Sequence, residues 1–138
     1  TAELYALREI LEGAAARLAA LHASDLEIEE MREWQLRFDR AQDDPRAMAL
    51  ANRRLHETMF RSARNRYLDS ALKDMQDSIA ILGRTTFSVA GRALTATAEH
   101  RAMIDAIASR NPDAAEHAAR EHIRNALRAR MKLAIDAG

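Results

Sequence analysis

Five histidines are the side chains of this sequence best suited to chemistry, and the helical face each occupies separates them into two groups. His117 falls in the series Asp113, His117, Arg120, Arg124 and Arg128, a polar face open to solvent. His22 stands at the end of the first amphipathic segment, where an imidazolium complements the negative end of a helix dipole. The other three lie on apolar faces. His56 shares its face with Asn52, Leu55 and Met59, and His100 is followed by Met103, Ile104 and Ile107. His122 follows Ala115, Ala118 and Ala119 and precedes Ala126. Three helices therefore each aim one imidazole at the core. Neutral imidazoles in an apolar interior need partners, and charged ones are costly. One shared divalent ion satisfies all three together; a polar cluster bridged by water is the alternative that periodicity leaves open. Asn52 precedes His56 by one turn, with Cβ atoms about 5–6 Å apart, so its amide oxygen can join the ring nitrogen on one ion.

Catalysis would need more than ligands. Di-iron bundles pair Glu and His three residues apart on a helix, and none of the five histidines has Glu three residues before it. His56-Glu57-Thr58-Met59-Phe60 begins the H-E-x-x-H pattern of zinc peptidases and fails at Phe60. Glu99 and Glu121 immediately precede His100 and His122, which turns them about 100° away around the helix. No carboxylate is thus expected beside the three histidines as a general base. The expectation is a binding protein, not an enzyme, with a metal-dependent hydrolase or lyase as the competing reading. Three neutral imidazoles and an amide leave a dication's charge unbalanced, which suits a small carboxylate. Arg8, on the first helix, can clamp such an anion through its planar fork. Asn125, three residues past His122, is a weaker contributor to the same ligand site.

The elements that must position these residues are helices. The chain has 138 residues with 4 Gly, 2 Pro and 4% aromatics, a composition poor in what strands prefer. Leu4, Leu7, Leu11, Ala14, Leu18 and Leu21 form a stripe at spacings of three and four, predicting a first helix to about His22 buried along that stripe. Ser24 and Glu27 form a capping box for a second, carrying Ile28, Met31, Trp34 and Phe38. Asp44-Pro45 stops it and starts a third, which buries Met48, Leu55 and Met59 and fades near Arg64-Asn65. A fourth runs from about Tyr67 to Gly83 with Leu68, Leu72, Met75, Ile79 and Leu82 on one side. Residues 85–91 read as an irregular connection, and a fifth helix spans roughly Leu94 to Ser109. Asn111-Pro112 opens a long last helix whose apolar side is Ala115, Ala118, Ala119, Ala126, Leu127 and Ile135. The predicted fold is all-α, an antiparallel bundle.

Charge excludes some roles. With 21 basic and 21 acidic side chains the net charge is zero, which argues against a surface built for nucleic acid or anionic lipid. The chain has no Cys, so no disulfide framework, thiolate site or cysteine nucleophile exists. A cytoplasmic protein with no membrane partner is expected.

Four segments together carry a family resemblance. They are Leu4-Tyr5-Ala6-Leu7-Arg8-Glu9-Ile10-Leu11-Glu12, Asn52-Arg53-Arg54-Leu55-His56, Glu99-His100-Arg101-Ala102-Met103-Ile104-Asp105-Ala106-Ile107 and Ala119-Arg120-Glu121-His122-Ile123. In this order they resemble the FCD domain, the effector-binding domain of FadR-type GntR-family bacterial transcription regulators, over essentially all of residues 1–138. The resemblance implies six or seven antiparallel helices around a central pocket. It also implies one divalent metal on Asn52, His56, His100 and His122, with zinc as first choice and nickel, manganese or iron as others. Position 52 is often Asp in the family, and Asn binds a dication more weakly. The winged helix-turn-helix domain of such regulators is expected to be missing from these residues. DNA is accordingly expected as a partner only through that domain, beside a small carboxylate effector and a second copy in a homodimer.

Overall fold

The computed structural model describes residues 1–137. Six α-helices follow one another: α1 (Ala2–His22), α2 (Asp25–Arg40), α3 (Pro45–Ser62), α4 (Arg66–Ala80), α5 (Arg92–Ala108) and α6 (Pro112–Ala137). A single 3₁₀ turn, Thr86–Ser88, lies in the connection between α4 and α5. No strand occurs among the described residues, and none of these helices is long and apolar enough to cross a membrane.

The helix boundaries follow from local chemistry. Ser24 Oγ accepts from the Glu27 amide at 3.1 Å while Glu27 Oε1 accepts from the Ser24 amide at 2.8 Å, closing the capping box. Asp44 accepts from the Ala47 amide at 3.1 Å with Pro45 in the first turn. Asn111 does the same for the Ala114 amide ahead of α6. The fourth helix stops at Ala80, short of Gly83, whose φ of +102° suits a residue without Cβ.

The inward face of α1 differs from the expected leucine stripe. Tyr5, Arg8, Glu12, Ala15, Ala16, Ala19 and Ala20 are buried, while Leu7 and Leu21 are about half exposed and Leu4, Leu11 and Leu18 lie at the edges. The helix is rotated so that its alanines and Tyr5, not its leucines, are buried, with Tyr5 against Ile123 and Ala126 of α6. Ala115, Ala119, Ala126 and Ala129 form the buried side of α6 together with Ile123. Small side chains on both helices let the axes approach closely. At Gly13 there is no room for a side chain: a Cβ there would stand 2.8 Å from Arg120 Cγ. Ion pairs flank this contact, from Arg17 to Glu116 at 2.6 Å and to Asp113, and from Glu9 to Arg124. The main core, including Met31, Leu55, Met59, Phe60, Ile104 and Ile107, draws on all six helices, with Leu72 from α4 and Ala115 and Ala119 from α6. Leu82 and Ile135, also expected on apolar faces, are exposed instead: Leu82 lies in the connection past the end of α4 and Ile135 in the last turn of α6.

The capping box gives a direct test. Ser24→Ala removes the hydroxyl that accepts from the Glu27 amide, while the backbone amide of residue 24 can still donate to Glu27, and is expected to destabilise the fold by about 1 kcal/mol. Leu26→Ala, at a side chain 74% exposed, should stay within about 0.5 kcal/mol. Urea denaturation of the two variants beside the parent chain checks both.

Candidate metal centre

His56 on α3, His100 on α5 and His122 on α6 converge in the core and are all buried. Their ring centroids lie 5.7 Å (His56–His100), 5.1 Å (His56–His122) and 4.8 Å (His100–His122) apart. One ligand atom from each falls within 4.8 Å of the others. His22 and His117 are exposed on the surface, as their positions on the helices predict.

Each of the three rings spends its Nδ1–H on an acceptor outside the cluster. His56 donates to Glu12 Oε1 at 2.6 Å, His100 to Gln35 Oε1 at 2.7 Å and His122 to Glu99 Oε1 at 2.7 Å. Gln35 is oriented for this by giving its own Nε2 to Asp39 Oδ1 at 2.9 Å. A ring that donates through Nδ1 keeps its lone pair on Nε2, the arrangement metal-binding histidines adopt. His56 Nε2, His100 Nε2 and Asn52 Oδ1 are buried and have no hydrogen-bond partner among the described residues. Unmet buried acceptors are rare, because each forfeits its hydration. Two of these acceptors belong to the clustered rings and fit a cation that His122 also reaches. The buried donors of His56, His100 and His122 are therefore chemically suited to a divalent ion, and Asn52 carries an unpartnered oxygen one helical turn before His56.

Electrostatics keep His100 and His122 in the metal-binding state. Burial pushes His100 well below its ordinary value, and the neighbouring charges of His122, His56 and Arg92 act in the same direction. Burial likewise brings His122 down to about 4, against the opposing pull of its hydrogen bond to Glu99. For Glu12 burial works upward, but Arg8 and His56 overcome it and bring the carboxyl to about 2. Glu99 also reaches about 2, its burial outweighed by His122 and Arg92. At His122 a neutral imidazole thus sits against the ionised carboxylate of Glu99.

Sequence reasoning missed these carboxylates. Glu99 does point away from His100, as its position requires, but it meets His122 of the next helix. Glu12 reaches His56 from a helix whose buried face was assigned elsewhere. The one available signal was the Arg8–Glu12 pair at i and i+4, two charges on one line of α1.

Beside the cluster opens a cavity of about 320 Å³ whose lining includes Tyr5, Arg8, Asn52, Gln76, Arg92 and His122. Arg53 and Arg130 add two further guanidinium groups to its wall. Arg8 is buried, with Nε on Glu12 Oε2 at 2.5 Å. Asn125 stands one step back: it donates to Glu99 Oε2 at 3.0 Å and is not part of the lining.

Comparison with known proteins bears on this arrangement. The FCD domain family matches residues 3–125. No curated protein matches the chain. Among solved structures, E. coli McbR/YncC superposes with a TM-score of 0.85 at 12% identity, over 95% of this chain and 67% of that one. Streptococcus agalactiae GntR gives 0.78 at 26% identity, over 88% of this chain and 55% of that one. The metal-free FCD domain of TM0439, described as a transcriptional regulator, gives 0.70 at 21% identity, over 94% and 90%. The chain spans about two thirds of McbR/YncC and about half of GntR.

The depressed histidines make stability depend on pH. Unfolded imidazoles take up protons near pH 6.5, whereas folded His122 does so only near 4. Between these values the unfolded chain binds more protons, so stability is full above about pH 6.5 and is lost as pH falls towards 4. His122 alone accounts for roughly 3 kcal/mol of that loss. Below pH 4.5 the lowered carboxyls of Glu12 and Glu99 add to it. Urea midpoints in chelator should fall clearly from pH 7.5 to pH 5; an unchanged midpoint would mean the imidazoles are not buried neutral.

Proposed function

The chain belongs to the FCD domain family, and on that footing we propose that this ligand-sensing regulatory domain works through a bound metal. The ion is held by His56, His100 and His122 with help from Asn52, and zinc, nickel, manganese or iron all accept such donors. When bound, it supplies a cationic coordination position for an oxygen donor. The effector is a small organic acid in the adjoining cavity, with Arg8 as its clamp and Asn125 acting through Glu99. The observation that carries this reading is the set of three buried acceptor atoms without partners, Asn52 Oδ1, His56 Nε2 and His100 Nε2.

The charge of the cavity supports an anionic ligand. Arg8, Arg53, Arg92 and Arg130 all line it; the first three pair with Glu12, Asp77 and Glu99, and Arg130 has no carboxylate partner among the described residues. That pairing also weighs against an enzyme. Glu12 and Glu99 each accept from a histidine and an arginine, so neither is free to take a proton from a substrate.

In the regulator we infer, residues 1–138 sense the acid and a winged-helix domain outside them reads DNA. Ligand shifts the population of helix arrangements and so the spacing of two DNA-reading heads in a homodimer. The cytoplasm is the compartment that this role requires.

Metal analysis of the purified chain is expected to give one divalent ion per chain. His56→Ala, His100→Ala and His122→Ala should each lower affinity by more than the ~10- to 100-fold that loss of an outer partner costs, while His117→Ala should not. Asn52→Asp adds a negative charge to the ligand set, so it should tighten the metal and weaken a dicarboxylate or hydroxy acid in calorimetry on metal-loaded protein. Tighter carboxylate binding by that variant would instead mark the metal as structural.

A further inference from the structure

Two of the three core histidines are backed by the same three-part chain. Arg8 Nε donates to Glu12 Oε2 at 2.5 Å, and Glu12 Oε1 accepts from His56 Nδ1 at 2.6 Å. Arg92 Nη1 donates to Glu99 Oε2 at 2.9 Å, and Glu99 Oε1 accepts from His122 Nδ1 at 2.7 Å. One chain runs from α1 to α3, the other from α5 to α6, so no shared sequence motif produces them. Both arginines are buried, at 7% and 6% exposure, and both line the cavity. His100 has no such chain, since its partner Gln35 is a neutral amide.

We propose that Arg8 and Arg92 restrain metal binding from the cavity side, each by holding the carboxylate whose other oxygen orients a metal-facing imidazole. The proposal rests on the reading of His56, His100 and His122 as metal ligands. Two arginines and two carboxylates sum to zero charge, so the buried network is balanced without a metal and acquires two positive charges with one. Each guanidinium also draws electron density from its carboxylate, which weakens that group as acceptor for the imidazole N–H and lowers the donor strength of Nε2. An anion in the cavity competes for the guanidinium. As it draws the arginine away, the carboxylate turns its whole charge onto the imidazole, and the metal is held more tightly. Linkage makes the effect reciprocal: the metal strengthens anion binding by the same factor. Glu12 and Glu99 are positioning residues in this scheme; Arg8 acts through Glu12, whereas Arg92 also stands 3.4 Å from His122 Nδ1 itself, which makes the Arg8 chain the cleaner one to test.

Cobalt(II) titration of the 138-residue chain at pH 8, read by d–d absorption against a competing chelator, tests the scheme. Arg8→Met keeps the apolar stem and removes the charge. It should bind cobalt about tenfold more tightly than the parent chain, because the freed carboxylate is left for the metal to balance. Glu12→Gln should bind about 10- to 100-fold more weakly. The double variant should match Glu12→Gln alone. Equal gains from Arg8→Met in both backgrounds, or a loss of affinity on Arg8→Met, would overturn the proposal. A purely structural arginine predicts that loss. Should Arg8→Met not fold, Arg92→Met with Glu99→Gln runs the same cycle on the second chain. Sulfate, which guanidinium groups bind and cobalt ligates weakly, should tighten cobalt in the parent chain. It should lose that effect when both arginines are Met; no effect in the parent, or an effect kept in the variant, counts against the coupling. Absence of any cobalt binding by the parent chain overturns the underlying metal reading instead.

Discussion

An imidazole in a dry interior has one N–H to donate and one lone pair to be met, and this bundle contains three of them in mutual contact. Meeting three N–H groups outward and leaving three lone pairs inward constrains most of the structure. The acceptors come from three different helices, Glu12 on α1, Gln35 on α2 and Glu99 on α5. The acceptors then need partners of their own. Arg8, Arg92 and Asp39 supply them, which brings further polar groups towards the centre. Only α4 lends neither a ring nor an acceptor, and it closes the cavity with Gln76 and Ile79.

The same requirement explains why helix periodicity was a good guide in some places and a poor one in others. The three histidines were legible because each interrupts an apolar face, and position on one helix is a local property. The caps at Ser24, Asp44 and Asn111 were legible for the same reason: their bonds span three residues. On α1 the periodic leucines pointed the wrong way. The helix turns a polar half, Arg8 and Glu12, and an alanine half, Ala15 to Ala20, into the core, and neither scores as a hydrophobic stripe. The Glu99–His122 contact joins residues 23 apart on separate helices, and nothing local to either residue announces it.

Net composition hid the electrostatics in a similar way. Equal numbers of acids and bases describe the surface average, and surface pairs such as Arg64 with Glu27 at 2.7 Å consume much of both. Local excess survives where a cation meets no carboxylate. Four arginines reach one cavity wall, where Arg8, Arg53 and Arg92 pair with Glu12, Asp77 and Glu99 while Arg130 is held only by Tyr5 Oη and the Arg84 carbonyl among the described residues. A chain that is neutral as a whole thereby keeps one unbalanced positive charge at this recess.

The glycine at the α1–α6 contact has a mechanical consequence. Gly13 takes the side chains of Arg120 and Glu116 onto its bare backbone, and the two helices stay together well beyond that point. Tyr5 lies against Ile123 and Ala126, and Arg130 reaches Tyr5 Oη at 3.4 Å and the Arg84 carbonyl at 2.6 Å. The long helix is thus braced along the stretch that carries His122, and only its end, where Ile135 stands in solvent, projects clear of the bundle.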